Sequence, residues 1–323
     1  MIQITDIRKS YGNKHAVKGI SFEVREGEIL GFLGPNGAGK STTLNIITGY
    51  LSADSGSAKI DGTDILTEPI KAKKDIGFLP EIPPLYPEMT VLEYLGFVYD
   101  LKGCKLPRKQ HLKEICEVVK IWDVGNRLIK NLSKGYRQRV GIAQALIGNP
   151  KVLIFDEPTI GLDPRQIIEI RNLIRMLGRE HTIILSTHIL PEVQAVCDRI
   201  VVINKGEIVA DEKTEDLINA VDGTRKMVAK IVGPEEEVLK AIRSLGGVKT
   251  ADVLGKRDTD SISYMIESQE RVDIRKPLFS MLASKGWPLI GLEGMELNLE
   301  DIFMRLVGKE KDKEDKKTRK GVK

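Results

Sequence analysis

Only three cysteines occur in 323 residues, and no two form a CxxC pair. That scarcity argues against a disulfide framework or a thiolate metal centre. Cys104, Cys116 and Cys197 read instead as buried free thiols in a reducing compartment. No apolar run approaches the ~20 residues that cross a bilayer. The opening MIQITDIRKS lacks the basic-then-apolar order of a secretory leader. No internal repeat is visible. A basic field is also missing, although the net charge is +4. The last fifteen residues, KEKDKEDKKTRKGVK, hold eight Lys/Arg and four Asp/Glu, and without them 42 basic residues face 42 acidic ones. The body is therefore balanced, which speaks against nucleic acid as a partner. The tail, residues 309–323, reads as a solvated disordered end, with contact to an anionic membrane surface as the alternative.

What is present is ordinary globular material, 41% hydrophobic and 30% charged, enough for one large core and a smaller unit. IQITDIR, SFEV and EILGFLG read as strands, the last running into glycines and then a helix-compatible KSTTLNIITG. VLEYLGFVYDLKG, RKQHLKEICEVVKIW and YRQRVGIAQALIG carry helical spacing. KVLIF and TIILS are continuous β-branched runs, as in a parallel sheet buried on both faces. PRQIIEIRNLIRMLGRE reads as a helix opened by Pro164, and RIVVIN-KG-EIVA as a hairpin. After about residue 220 the order becomes β-α-β-β-α-β, the split or ferredoxin-like unit, and a last helix, LEDIFMRLVG, follows.

GPNGAGKS, Gly34–Ser41, fits GxxxxGK[ST] between a strand and a helix. Its glycines let backbone N–H groups converge on phosphate oxygens, and the helix start adds positive potential. Lys40 is placed to reach β- and γ-phosphates, and the Ser41 hydroxyl to bind Mg²⁺. The motif points to a nucleoside triphosphate without choosing among kinases, GTPases and ATPases. VLIFDEP supplies two acids at the end of a buried strand, where ligands of open α/β sheets bind. Asp156 there suits a Mg²⁺ shell, and Glu157 suits polarising a water. GFLPEIPPLYPEMT, Gly77–Thr90, sets four prolines around Glu81, so it is neither helix interior nor central strand.

Between and after these motifs stand NLSKGYRQRVGIAQAL, PTIGLDP and STH. With GPNGAGKST and FDEPT, this order over roughly Met1–Asp211 resembles the ATP-binding cassette subunit of an ABC transporter. The resemblance implies an α/β fold: a P-loop ABC ATPase core of mixed sheet and helical subdomain, then a small α+β ferredoxin-like C-terminal domain. The domains would span 1–220, with helices at about 88–150, then 225–308 and the tail. LSKGY looks like the signature motif, whose Ser133 and Gly135 would meet the γ-phosphate held by a second subunit. Lys134 and Tyr136 depart from the commonest signature but leave those donors in place.

The same resemblance implies that Asp163 belongs to the loop passing between two nucleotide sites and that His188 contacts the γ-phosphate. Tyr11 would stack on adenine, and Gly34, Pro35, Asn36, Gly37, Ala38, Gly39, Lys40, Ser41 and Thr42 would hold the phosphates. Ser41, Glu81 and Asp156 would hold Mg²⁺, Glu81 standing where the family carries glutamine. Glu157, His188 and Lys40 would carry ATP hydrolysis. Because the chain has no span of its own, a separate transmembrane permease is implied, together with a second ABC subunit, identical or related, at the cytoplasmic face of the membrane. LEDIFMRLVG and the small extension resemble the export branch that includes drug, sodium and gliding-motility cassettes. A soluble ABC ATPase of translation or DNA repair is the alternative. Such proteins usually carry two cassettes or long coiled-coil insertions, and neither is seen here.

Overall fold

Strands that are apolar on both faces need cover on both faces, and that requirement organises the first of two units. The structure is a computed structural model that describes residues 1–216, 226–257, 260–269 and 272–294. The chain divides into Met1–Thr214 and the part from Glu215 onward. The first unit opens with β1 (Ile2–Tyr11), β2 (Lys14–Val24), β3 (Ile29–Leu33) and helix α1 (Lys40–Ile47). It continues with β4 (Ser55–Ile60), β5 (Thr63–Asp64), α2 (Pro69–Lys74) and β6 (Ile76–Leu79). Helices α3 (Val91–Leu101), α4 (Arg108–Val118) and α5 (Lys134–Leu146) follow. Then come β7 (Val152–Asp156), α6 (Pro164–Leu177), β8 (Thr182–Thr187), α7 (Leu190–Val196), β9 (Arg199–Asn204) and β10 (Glu207–Lys213).

Six strands form one sheet in the order β10-β9-β3-β8-β7-β6, parallel except for β10. Every residue of β3, β7 and β8 is buried, as the unbroken apolar runs require. An antiparallel sheet, β2-β1-β4-β5, shares a core with α1 and with β3, β7, β8 and β9. Phe22 and Phe32 stack across it with ring centroids 5.4 Å apart. Each large aliphatic side chain taken from water there contributes about 1.5–3 kcal/mol. On the other face α7 approaches β3 so closely that a Cβ at Gly31 would run into Val193, so only glycine fits there. The β9–β10 hairpin turns at Lys205 and Gly206, whose φ values of 48° and 84° suit a tight hairpin turn. The turn also reaches α1's entry loop, where the Gly206 N–H donates to Ala38 O at 2.9 Å.

The proline-rich segment divides in two. Gly77–Leu79 complete the edge strand β6, whereas the chain from Pro80 to Met89 is neither helix nor strand. At its far end Thr90 and Glu93 form a reciprocal capping box that starts α3.

The second unit contains β11 (Lys226–Ile231), α8 (Glu235–Ser244), β12 (Val248–Arg257), β13 (Ile262–Ser268), α9 (Arg275–Ser284) and β14 (Leu289–Gly294). Its sheet has the order β12-β13-β11-β14 and is antiparallel at every pairing. Tyr264 is fully buried there among Ile231, Val238, Ile266 and Leu278. Glu235, Glu236 and Glu237 in the first turn of α8 favour the positive end of its dipole. The boundary expected between residues 220 and 225, the helix expected at 299–308 and the tail at 309–323 lie outside the described residues.

Lys102 closes the C-terminal end of α5, its ammonium donating to Ile147 O at 2.9 Å and to Gln144 O and Ala145 O at 3.4 Å. Burial pushes its pKa down from 10.5 to about 8. The folded state therefore holds this proton less tightly than the unfolded chain, and stability tied to Lys102 rises with pH between those two values. Urea unfolding of the wild type and of Lys102→Met should diverge in favour of the wild type across that window. Parallel curves would contradict the assignment.

Candidate active site

Glycine decides how the chain leaves β3 and enters α1. Gly39 precedes the helix at φ 113°, and a Cβ on it would lie 2.7 Å from Ala16 O. No side chain caps α1, so its first N–H groups are available to an anion. The loop beneath holds Lys40, whose ammonium donates to Gly34 O at 2.8 Å and Pro35 O at 3.4 Å. Lys40 also lies 3.4 Å from the Glu157 carboxylate, and each residue is only 6% exposed.

Glu157 follows the last residue of β7 and bends sharply away, with φ at 49°. Side chains other than glycine adopt that conformation at a cost of about 1–2 kcal/mol. Its N–H donates to Ser186 O at 3.0 Å, anchoring the bend to the neighbouring strand β8. Two residues further along from Ser186, His188 brings Nδ1 to 3.0 Å from both Glu157 carboxylate oxygens. An ionised carboxylate only accepts, so in this contact Nδ1 carries the proton. Lys40 and His188 thus hold the carboxylate from two sides, which offsets part of the cost of burying it.

These groups line an open cleft of ≈ 440 Å³, together with Tyr11, Asn36, Gly37, Gly39, Ser41, Thr42 and Glu81. Gly34, Pro35 and Ala38 contribute as the loop backbone beneath it. Asp156 sits behind the cleft, buried, with its Oδ1 lacking a hydrogen-bond partner among the described residues. Burial raises its carboxyl above the usual carboxylate range, despite the Ser41 and Ser186 hydroxyls and the Lys40 ammonium nearby. An unpartnered buried oxygen costs free energy, and a cation is the natural partner for it.

Ser133, Gly135 and Asp163 stand apart from that cleft. Ser133 caps α5 by accepting from the Tyr136 N–H, and Asp163 caps α6 by accepting from the Gln166 N–H. Gly135 packs on Gln166 beside a separate recess of ≈ 210 Å³ that also touches Tyr136 and Leu162. One chain therefore keeps its phosphate loop and its LSKGY donors in different places.

The ABC transporter family model matches residues 17–160, a span that includes the phosphate loop and both acids at the end of β7. A linearmycin resistance ATP-binding protein of Bacillus subtilis is 35% identical over 311 residues, 96% of this chain and 99% of that one. The Nod factor export ATP-binding protein I of Rhizobium etli is 35% identical over 319 residues, 97% and 95% of the two chains. The chain belongs to the ABC transporter ATP-binding family. Among solved structures, a dimeric ATP-binding cassette in a post-hydrolysis state with ADP and Pi superposes with a TM-score of 0.61. It is 30% identical, covering 66% of this chain and 99% of the other. The chain is accordingly an ATP-binding, ATP-hydrolysing subunit, and its relatives include export cassettes.

The cassette's cleft includes three residues that sequence reasoning passed over: Lys14, Ala16 and Ile160. Lys14 and Ala16 open β2 just after Tyr11, and Ile160 lies within PTIGLDP. Replacing Gly39 by Ala forces a Cβ onto Ala16 O at a left-handed position. We expect about 1–3 kcal/mol lost on unfolding and ATP affinity reduced at least roughly tenfold in a fluorescent-nucleotide titration. Unchanged affinity would contradict the role of this loop.

Proposed function

We propose that this cassette powers a separate transmembrane permease, and that it does so paired with a second cassette, identical or related, closed around two ATP molecules. The contact between Glu157, Lys40 and His188 at the mouth of a phosphate loop carries the proposal. The triphosphate lies over Gly34–Thr42, with its β- and γ-phosphates on the α1 N–H groups and on Lys40, and adenine stacks on Tyr11. An incoming triphosphate competes with Glu157 for the Lys40 ammonium and leaves the carboxylate to His188 and to water. Glu157 then accepts the proton of the attacking water, and His188 orients the carboxylate and meets the γ-phosphate. Lys40 and the helix N-terminus stabilise the charge that develops on the leaving phosphate.

Ser41, Asp156 and Glu81 would hold Mg²⁺. The unpartnered Asp156 Oδ1 fits that use. Mg²⁺ takes few protein ligands and completes its shell from phosphate and water. When bound, Mg²⁺ supplies charge neutralisation across the phosphates.

The separation of Ser133 and Gly135 from the phosphate cleft supports completion of each site by a second copy. Asp163, beside that donor pair, would pass between the two sites. No helix among the described residues is long and apolar enough to cross a membrane. In this proposal a separate permease supplies the permeation path. The segment Pro80–Pro87 is suited to carry motion towards it, because prolines stiffen it and Tyr86 packs on Tyr94 and Phe97. An export role follows the linearmycin resistance and Nod factor export relatives.

Glu157→Gln is expected to bind ATP as the wild type does while turnover falls by about 100-fold or more. Phosphate release and equilibrium nucleotide binding on the purified full chain test this. Turnover at the wild-type rate would remove Glu157 from the reaction.

A further inference from the structure

A third buried acid, which the proposed reaction does not use, lies outside the residues that line the cleft. Glu192, on α7, is 2% exposed, and its two oxygens have different partners. Oε1 accepts from the Thr159 hydroxyl at 2.6 Å and Oε2 from the Thr187 hydroxyl at 3.0 Å. Both threonines are themselves buried. Thr159 follows Glu157 by two positions, and Thr187 immediately precedes His188. Thr187 also accepts from the Ile189 N–H at 3.1 Å, so its hydroxyl spans the backbone on both sides of His188. The Arg171 guanidinium approaches Glu192 Oε1 at 4.0 Å from α6, the helix that Asp163 caps.

A carboxylate is an expensive way to fill an interior position, and apolar residues of similar volume often stabilise a fold as well or better. Its distinctive property here is that both oxygens only accept, so both hydroxyls must donate to it and their directions are set. Close packing of α7 on Gly31 keeps the carboxylate itself in place. We infer that Glu192 is a positioning residue for ATP hydrolysis, its carboxylate tying Thr159 to Thr187 and thereby fixing the Glu157–His188 contact. It does not line the cleft, so it acts through the residues that do. Its effect is on the spacing of two loops that arrive from different strands, and a displacement of about 1 Å at such a contact is enough to cost around 100-fold in rate.

The inference rests on Glu157 and His188 acting as proposed above, and the test separates the two. MgATP turnover and ATP affinity are measured on the purified full chain for Glu192→Ala, Glu192→Gln and Thr159→Val, with Glu157→Gln as control and unfolding midpoints recorded. Glu192→Ala should lose at least about tenfold in kcat with KM and ATP affinity within about twofold. Glu192→Gln keeps one accepting oxygen and should recover most of that loss, to within about threefold of the wild type. Thr159→Val keeps the side chain's shape while removing its hydroxyl, and it should lower kcat severalfold without changing affinity. In a His188→Ala background Glu192→Ala should add less than about a twofold loss, because the contact it fixes is already gone.

Turnover of Glu192→Ala within twofold of the wild type, with Glu157→Gln inactive, would overturn the positioning role alone. So would an effect in the His188→Ala background as large as in the wild type, or a kcat loss that merely follows lost affinity or lost folding. If Glu192→Ala does not fold, an unaffected Thr159→Val overturns it. Full turnover by Glu157→Gln would remove the catalytic reading and this inference with it.

Discussion

A carboxylate that must remain buried yet available to water sets the terms for the rest of this cassette. Glu157 sits at a left-handed bend, with Lys40 on one side and His188 on the other. Each neighbour comes from a different strand–loop unit, so the contact exists only because β3, β7 and β8 lie side by side in register. Their continuous burial explains the unbroken apolar runs, and the bend after β7 explains why the acid projects into the cleft instead of continuing the strand. The sheet is thus the frame on which three charged or titratable groups are brought together.

Under the proposed function, each chain supplies one side of a nucleotide site. Its phosphate loop offers N–H groups and a lysine to one side of a triphosphate, while Ser133 and Gly135 begin α5 beside a different recess. Asp163 caps the helix that Gly135 packs against, so the loop before α6 and the start of α5 are neighbours. Joining two copies would place the donors of one over the cleft of the other. Charge on the γ-phosphate would then favour closure, and its loss on hydrolysis would favour opening, a switch of the kind that a stiff proline-rich segment can transmit.

Residues whose role is local were legible in the sequence. The glycines and lysine of GPNGAGKS, the acids after VLIF and the turn at Lys205-Gly206 act through backbone geometry within a few positions. Tyr11, Glu81 and His188 could be placed in the cleft only by resemblance, since nothing near them in sequence demands it. The antiparallel sheet was read in fragments. Register shifts in β1 break its two-residue alternation, and β4, SGSAKI, carries too little apolar character to announce a strand. Gly77–Leu79 were hidden by the prolines that follow them, although they complete an edge strand. Glu192 left no trace, because its partners lie 33 and 5 residues away and meet it only once α7 has packed on β3.

Mixing two inactive variants tests the shared site most directly. Glu157→Gln lacks the base but keeps the signature donors, whereas Ser133→Arg keeps the base and obstructs those donors. In a mixed pair, one of the two sites combines an intact Glu157 with an intact signature from the other chain. The account predicts that each variant alone is inactive and that mixing them restores MgATP turnover to about a quarter of the wild-type rate, if pairs form at random and sites act independently. Failure to regain activity in mixtures shown to exchange partners, or activity in Ser133→Arg alone, would contradict it.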